Sequence, residues 1–369
     1  MENFSRLNTV GIDREEAFKV AFAAEGSRDF SSTLNGVTVG LSSGTSGNRG
    51  LFLVSNQERA MHAGTILAKI LPNSILSKNK VAFFMRANSN LYTASQSSRL
   101  HFEFFDLLQP AGTHLTRLVE LNPTLLFSPP SMLIQLADAQ KKGFLKISPL
   151  KIFSIAETLD PLDQSKIESA FQQKVHQIYQ CTEGFLGATC SEGTLHLNEE
   201  CIHIEPEWMD QARTKFMPIV TDFTRKSQPV IRYRLNDILT LRKTPCPCGS
   251  VMMALECIEG RADDVIYFTN SKGEEVTVFP DFIRRAIMTA SDQIEEYQVI
   301  QKKVGELNIY LRINLQRSSQ PYEAAVEVEI LRLSQLLQAQ PAALHFFTAM
   351  PPLNGKKLRR VMRDLTTGS

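Results

Sequence analysis

Apolar residues recur along the chain in two alternating rhythms. Short apolar runs read as strands: Val37-Thr38-Val39-Gly40-Leu41, Val81–Met85, Thr124–Ser128, Leu150–Ala156 and Val175–Tyr179. Between them lie stretches whose apolar positions fall three and four apart. In the first, Ala60, Ala63, Ile66, Leu67 and Ile70 share one helical face. Ser55-x-x-Glu58 opens that helix as a capping box, and Pro72 marks its end. Residues 113–121, 130–142 and 161–172 read as further helices. Asn35-Gly36 reads as a turn, and residues 1–35 as a loosely docked helical lead-in without strong pattern. The alternation predicts an α/β domain built on a largely parallel sheet. Such sheets bind ligands at the carboxyl ends of their strands.

Beyond about residue 200 the rhythm shortens. Pro218–Phe223 and Val230–Arg242 read as strands of a more antiparallel region. Ile266–Phe268 and Val276–Phe279 flank Asn270-Ser271-Lys272-Gly273 as a hairpin, and Tyr297–Lys302 with Glu306–Ile313 form a second. Helices over 281–290 and 322–338 and a strand over 344–348 complete a small α+β unit. The expected organisation is a large α/β domain with mixed sheets, residues 1–262, followed by a small α+β domain, residues 263–369.

Composition narrows the class. A 369-residue chain is long enough for more than one core. Hydrophobic content of 43% and charged content of 21% are those of an ordinary globular protein. The net charge of +1, from 40 Lys and Arg against 39 Asp and Glu, argues against nucleic acid as a partner. No apolar run approaches the ~18 residues of a bilayer span, and Met1-Glu2-Asn3-Phe4 lacks the layout of a signal peptide. Six cysteines in so long a chain do not suggest a disulfide framework. The expected location is the cytoplasm, with reduced thiols.

One loop carries chemistry, Ser43-Gly44-Thr45-Ser46-Gly47-Asn48-Arg49-Gly50. Its glycines allow close backbone approach, its hydroxyls donate, and Arg49 adds fixed charge, which is what a triphosphate requires. Set between the first strand and the Ser55 helix, it predicts a strand–loop–helix phosphate cradle. It lacks the lysine of the Gly-x-x-x-x-Gly-Lys-Ser/Thr loop. Four segments follow: Tyr179-Gln180-Cys181-Thr182-Glu183, Ile231-Arg232-Tyr233-Arg234-Leu235-Asn236-Asp237, Glu259-Gly260-Arg261-Ala262-Asp263-Asp264 and Asn354-Gly355-Lys356-Lys357-Leu358-Arg359-Arg360. Each alone also fits a strand end, an ionic strand face, a turn or a solvated basic helix face. Their order and spacing together are more telling.

Over roughly residues 37–369 this set resembles the adenylate-forming superfamily, and within it the phenylacetate–CoA ligase branch. Pro129-Pro130-Ser131 and Ala156-Glu157 fall where relatives carry a Pro-Ser turn and a Gly-Gly-Glu-like turn. The resemblance implies an acid–thiol ligase of two domains, the smaller one mobile. It would use ATP and Mg²⁺ to make acyl-AMP, then pass the acyl group to coenzyme A or to the phosphopantetheine of an acyl carrier protein. Residues Ser43, Gly44, Thr45, Ser46, Gly47 and Arg49 would hold the β- and γ-phosphates. Ala156 and Glu157 would line the adenine and substrate region. Tyr179 would stack on adenine, Thr182 would contact the α-phosphate and Glu183 would bind Mg²⁺. Asp237 would hold the ribose hydroxyls, Arg261 ribose or phosphate, and Lys356 would be the catalytic lysine of adenylation. Asp263 would sit at the hinge. A small carboxylic acid is the implied substrate, with a role in secondary metabolism by analogy and a monomer or homodimer as the working unit.

The chain departs from the pattern. Gln180 replaces a glycine and would narrow the acyl pocket. Asn236 replaces the glycine before the ribose aspartate, where positive φ is tolerated by Asn. Arg49 stands for a lysine, and the glycine loop begins early. These departures also admit a catalytically altered member that binds nucleotide or an acyl carrier. Finally, Cys190-x₅-His196 and Cys246-Pro247-Cys248-Gly249 resemble the zinc-holding three-cysteine, one-histidine set of some branch members. The alternative is four unrelated residues, since free Cys is often a small buried hydrophobe. Cys181, Cys201 and Cys257, and the remaining histidines, read as packing residues.

Overall fold

The computed structural model describes the chain except residues 1–2, 28, 30–32, 43–49, 75, 87–97, 292, 314–321, 353–356 and 365–369. Near the N-terminus, α1 (Phe4–Leu7) and α2 (Arg14–Ser27) pack on a three-stranded antiparallel sheet of β1 (Thr33–Leu34), β2 (Val37–Leu41) and β3 (Leu51–Val54). The lead-in is therefore not loosely docked. Ala17 and Ala21 sit in one apolar cluster with Val37, Val39, Leu51 and Leu53. The glycine loop joins two antiparallel strands, with Leu41 opposite Leu51. The strand–loop–helix expectation is thus corrected to strand–loop–strand, and the helix follows one strand later. That helix, α3 (Asn56–Ile70), begins with the expected capping box, in which Ser55 and Glu58 satisfy each other's backbone.

Among the described residues the main sheet has twelve strands. Its parallel half runs β5 (Leu100–Asp106), β4 (Asn79–Met85), β6 (Leu125–Ser128), β7 (Lys151–Ser154), β8 (Val175–Cys181). Helices α4 (Leu115–Leu121), α5 (Pro130–Lys141) and α6 (Pro161–Phe171) cross over between β5, β6, β7 and β8. Both faces are covered, which is why these strands read as unbroken apolar runs. Ala82, Phe84, Leu126 and Ile152 face the cluster of α4, α5 and α6. Val81, Phe83, Leu125, Phe127 and Phe153 face the opposite way, where Ile66 and Ile70 of α3 close over them. Phe84 and Phe105 are fully buried with ring centroids 4.8 Å apart. Each such burial stabilises the fold by about 1.5–3 kcal/mol.

At β8 the sheet turns antiparallel through β9 (Gly184–Thr189), β10 (Leu195–Leu197), β15 (Ala254–Arg261), β14 (Asp237–Leu241), β12 (Lys215–Asp222) and β11 (Ile202–Trp208), with β13 (Val230–Arg234) also paired to β12. Trp208 ends β11 and packs edge-on against Phe216.

A separate apolar core gathers residues from 266 to 361, with Phe268, Ile287, Tyr297, Val299, Ile309 and Val326 at its centre. Around it stand the hairpin of β16 (Ile266–Thr269) and β17 (Glu275–Val278), helices α7 (Pro280–Ala290) and α8 (Tyr322–Leu336), and a sheet ordered β20 (Ala343–Phe347), β19 (Glu306–Ile313), β18 (Ile294–Lys303), β21 (Val361–Arg363). Both expected hairpins form. The two cores exchange side chains: Leu162 of α6 packs on the second core, and Leu358 packs on the first. No helix among the described residues is long and apolar enough to cross a membrane.

Candidate active site

The carboxyl ends of β4, β6, β7 and β8 open into a crevice of about 2140 Å³. A single small-molecule pocket is roughly 300–1,000 Å³, so this one has room for two ligands side by side. Tyr179, near the end of β8, donates its hydroxyl to Asp237 Oδ2 at 2.8 Å. Asp237 starts β14 and lies opposite Arg261 in the ladder. Arg261 Nε stands 3.9 Å from Asp237 Oδ1. Burial pushes the Asp237 carboxyl up, against the Tyr179 hydrogen bond and the charges of Arg261 and Lys357. Asn236 does not take positive φ; its side chain donates to Asp263 Oδ2 at 3.0 Å, and its carbonyl accepts from Ala262 N at 2.7 Å. The turn thus needs no left-handed residue, and the expected role of Asn236 is corrected.

Thr182 donates to Glu183 Oε2 at 2.9 Å. Arg225 donates to the carbonyls of Thr182 and Leu53, at 3.0 and 3.2 Å, which fixes this turn against β3. Gly184 follows because a Cβ there would lie 2.8 Å from Asp222 Oδ2. After β7, Ala156 adopts φ of 64°, a strained conformation for a residue with a Cβ and one that clusters at functional sites. Glu157 Oε2 accepts from Ser131 N at 3.1 Å, so the Pro-Ser turn and the Ala-Glu turn meet. Glu157 Oε1 accepts from Leu358 N at 3.2 Å, which brings the end of the chain to the same place. Burial pushes the Glu157 carboxyl up, opposed by the hydrogen bonds from Ser131 and Leu358. Lys357 lines the crevice beside them; burial and the Arg261 charge pull its ammonium down, while Glu157 and Asp237 hold it up.

Tyr179, Thr182, Glu183, Ala156, Glu157, Asp237 and Arg261 therefore share one crevice. Lys356 lies outside the described residues, as do Ser43, Gly44, Thr45, Ser46, Gly47 and Arg49. The two ends of that loop, Ser42 and Gly50, line the crevice and bond each other at 2.8 and 2.7 Å.

Several residues carried no sequence signal for their roles. Glu58 was legible as a cap, but it also accepts from Lys226 N, Ser227 N and Ser227 Oγ at 2.6, 2.8 and 2.5 Å. Burial raises its pKa, yet these bonds and those from Ser55 hold it at about 2. His62 of α3 meets Gln180 Nε2 at 3.3 Å through Nε2. Burial, helped by the Arg225 charge, pulls His62 down to about 4.

Away from the crevice, ligand atoms of Cys190, His196, Cys246 and Cys248 all lie within 4.8 Å of one another. Cys190 Sγ is 3.7 Å from Cys246 Sγ, and Cys248 Sγ is 3.4 Å from His196 Nε2. Zinc–ligand bonds of about 2.3 and 2.0–2.1 Å in a tetrahedron put S···S edges near 3.8 Å and S···N edges near 3.6 Å, so the set fits Zn²⁺. The S···S separation is far beyond the ~2.05 Å of a disulfide. His196 Nδ1 stands 3.1 Å from the Met252 carbonyl, the outer-shell contact that leaves Nε2 free to ligate.

Superposition on solved structures decides the fold. A 2-hydroxyisobutyryl-CoA ligase in its postadenylation state matches 96% of this chain and 79% of its own, with a TM-score of 0.67 and 18% identity. This is the fold of the adenylate-forming ligases. An anthranilate CoA ligase bound to anthranoyl-AMP matches 85% of the chain and 64% of its own at a TM-score of 0.60 and 12% identity. The 2-hydroxyisobutyryl-CoA ligase in its thioesterification state matches less well, at 0.52 and 19% identity over 93% of this chain and 78% of its own. In sequence, a phenylacetate–coenzyme A ligase of Thermus thermophilus is 22% identical over 189 residues, 43% of this chain and 41% of its own. Protein CapK of Staphylococcus aureus is 28% identical over 177 residues, 46% of this chain and 37% of its own. These matches span about two-fifths of the curated relatives. No family profile matches. The adenylate-forming likeness lies on the phenylacetate–CoA ligase side, as the motifs implied.

Proposed function

We propose that this chain activates a small carboxylic acid with ATP to an acyl-AMP and then transfers the acyl group to a thiol, that of coenzyme A or of a carrier protein's phosphopantetheine. The observation that carries this reading is the meeting of Tyr179, Asp237, Arg261, Glu157 and Lys357, from widely separated parts of the sequence, in one crevice.

In the first step an oxygen of the acid bonds to the α-phosphorus and the bond to the β-phosphate bridging oxygen breaks. Charge builds on the phosphoryl oxygens, and fixed cations with a hydroxyl donor stabilise it. We assign that task to Arg261 and Thr182, and to Lys356 from the adjoining segment. Asp237 accepts from the ribose hydroxyls, with Tyr179 and Arg261 holding the carboxylate in place. Glu183 is the carboxylate suited to Mg²⁺, whose chemistry is neutralisation of phosphate charge. In the second step the thiol sulfur attacks the acyl carbon and AMP leaves.

Division into a large unit over 1–262 and a small lid over 263–369 belongs to the same reading, as does Zn²⁺ held structurally by Cys190, His196, Cys246 and Cys248. The better match to the postadenylation structure supports assigning this arrangement to the first half-reaction. A cytoplasmic role in secondary metabolism is the setting we assign. The test is ATP–pyrophosphate exchange over a broad acid screen, followed by AMP release with coenzyme A and with a carrier protein. Exchange with at least one acid is expected; none with any acid, in a protein that binds ATP, favours the catalytically altered alternative.

A further inference from the structure

One half of the crevice lacks nucleotide-binding character. It is walled by the second face of the parallel strands and by α3, with Phe83, Phe102, Phe127 and Phe185 among its lining. Into this apolar half project two polar side chains, His62 from the second turn of α3 and Gln180 from β8. The ladder between β8 and β9 shifts register between Tyr179 and Gln180. Such bulges re-aim a side chain beside an active site. The His62 ring stands edge-on to Phe185, with centroids 6.2 Å apart and planes at 79°. That contact and the hydrogen bond to Gln180 fix the ring on two sides.

The pair is only half satisfied. Gln180 Nε2 donates to His62 Nε2 at 3.3 Å, which places the remaining ring proton of a neutral imidazole on Nδ1. Neither His62 Nδ1 nor Gln180 Oε1 has a hydrogen-bond partner among the described residues. One donor and one acceptor therefore stand unmet in the crevice lining, which near His62 also carries Arg225 and Asp222. Left unmet there, each costs free energy, and a ligand hydroxyl, able to accept from His62 Nδ1 or to donate to Gln180 Oε1, meets one of them.

Resting on the acid-activating reading above, we infer that His62 and Gln180 select the acid: the substrate is an apolar or aromatic carboxylic acid carrying a hydroxyl, or an amine of like capacity, on the part remote from its carboxylate. The departure from glycine at Gln180 is then a specificity element. It leaves the nucleotide side, where Tyr179 faces Asp237, as it was.

The test is pyrophosphate exchange by the full chain with matched acids: benzoate against 3-hydroxybenzoate, phenylacetate against 4-hydroxyphenylacetate, and hexanoate against 6-hydroxyhexanoate. In at least one pair kcat/KM for the hydroxylated acid should exceed that of its deoxy partner by about tenfold or more, the factor that leaving one buried hydrogen-bonding group unmet by the deoxy acid produces. Gln180→Leu and, separately, His62→Phe should bring that ratio toward one. Melting temperatures identify a variant that fails to fold, and the other variant then decides. Equal rates within every pair, a preference for the deoxy acids, or a preference that survives both substitutions overturns this inference alone. Exchange with no acid at all overturns the activating reading, and this inference falls with it.

Discussion

Asp237 illustrates how a single position can be built for a ligand at a cost to itself. Its carboxylate is buried, which raises its pKa, and only Tyr179 and the nearby cations offset that. Nothing in the packing requires the charge, so Asp237→Asn should leave the melting temperature unchanged or higher. It should nevertheless weaken ATP binding, by about 10–100-fold if hydrogen bonds to a charged acceptor are lost at about 1.5–3 kcal/mol. Calorimetric ATP titration beside a thermal melt checks both halves; unchanged affinity removes Asp237 from the ribose site. Ala156 is the other telling residue. A left-handed alanine beside a buried glutamate could be found only in three dimensions, since the sequence shows two ordinary residues at a strand end.

Among the elements, the α3 cap was legible and its second use was not. Ser55-x-x-Glu58 marks a helix start in any sequence, but the bonds from Lys226 and Ser227 arrive across 168 and 169 positions. Glu58 thus ties the loop after β12 to the helix that roofs the crevice. Its folded pKa of about 2 lies below the ordinary 4.5. The stabilisation it brings is therefore complete above about pH 4.5 and fades as pH falls toward 2. Glu58→Gln should lower stability in urea by about 1–3 kcal/mol at pH 7, with the gap to wild type narrowing below about pH 4.5. A gap constant with pH contradicts this assignment.

The cysteine cluster is the second such case. Its spacing suggested a set of ligands, and the pairing of β10 with β15 brings His196 beside the Cys246–Cys248 turn. Metal analysis of the purified protein should find about one zinc per chain. Cys246→Ser should lower bound zinc and melting temperature together, and a wild type without zinc ends the proposal.

For the whole molecule, the decisive feature is how the two cores are joined. Arg360, before β21, reaches Asp163 of α6 with two bonds of 2.6 and 3.1 Å, and also meets Glu296 at 3.2 Å. Tyr297 donates to Asp160 at 2.6 Å, and Arg284 stands 3.2 Å from the same carboxylate. Apart from Glu296, which is half-buried, these groups are buried, so breaking one partner strands a charge, a loss of about 3–5 kcal/mol. If this clamp holds the adenylating arrangement, Arg360→Met should depress pyrophosphate exchange while sparing thioester formation from supplied acyl-AMP. Adding Asp163→Leu should restore stability, because the stranded carboxylate is gone. Equal loss of both half-reactions would remove the clamp from the conformational cycle.

The sequence by itself determined the elements and the kinds of chemistry available. Apolar period, caps and turns are local, so the strands β4, β6, β7 and β8, helices α3, α5 and α6 and both late hairpins were readable from neighbours alone. Strand β5 and the run from β9 to β11 were not, because their pairing is set by partners elsewhere in the sheet. Only the tertiary structure decided that the glycine loop joins two strands, that Asp237 and Arg261 face Tyr179, that four thiol and imidazole groups meet, and that His62 reaches Gln180. Those contacts depend on the order of strands in one sheet and on two cores packed together. Chain closures of 58 residues between Tyr179 and Asp237, 56 between Cys190 and Cys246 and 118 between His62 and Gln180 leave no local trace in the residues they join.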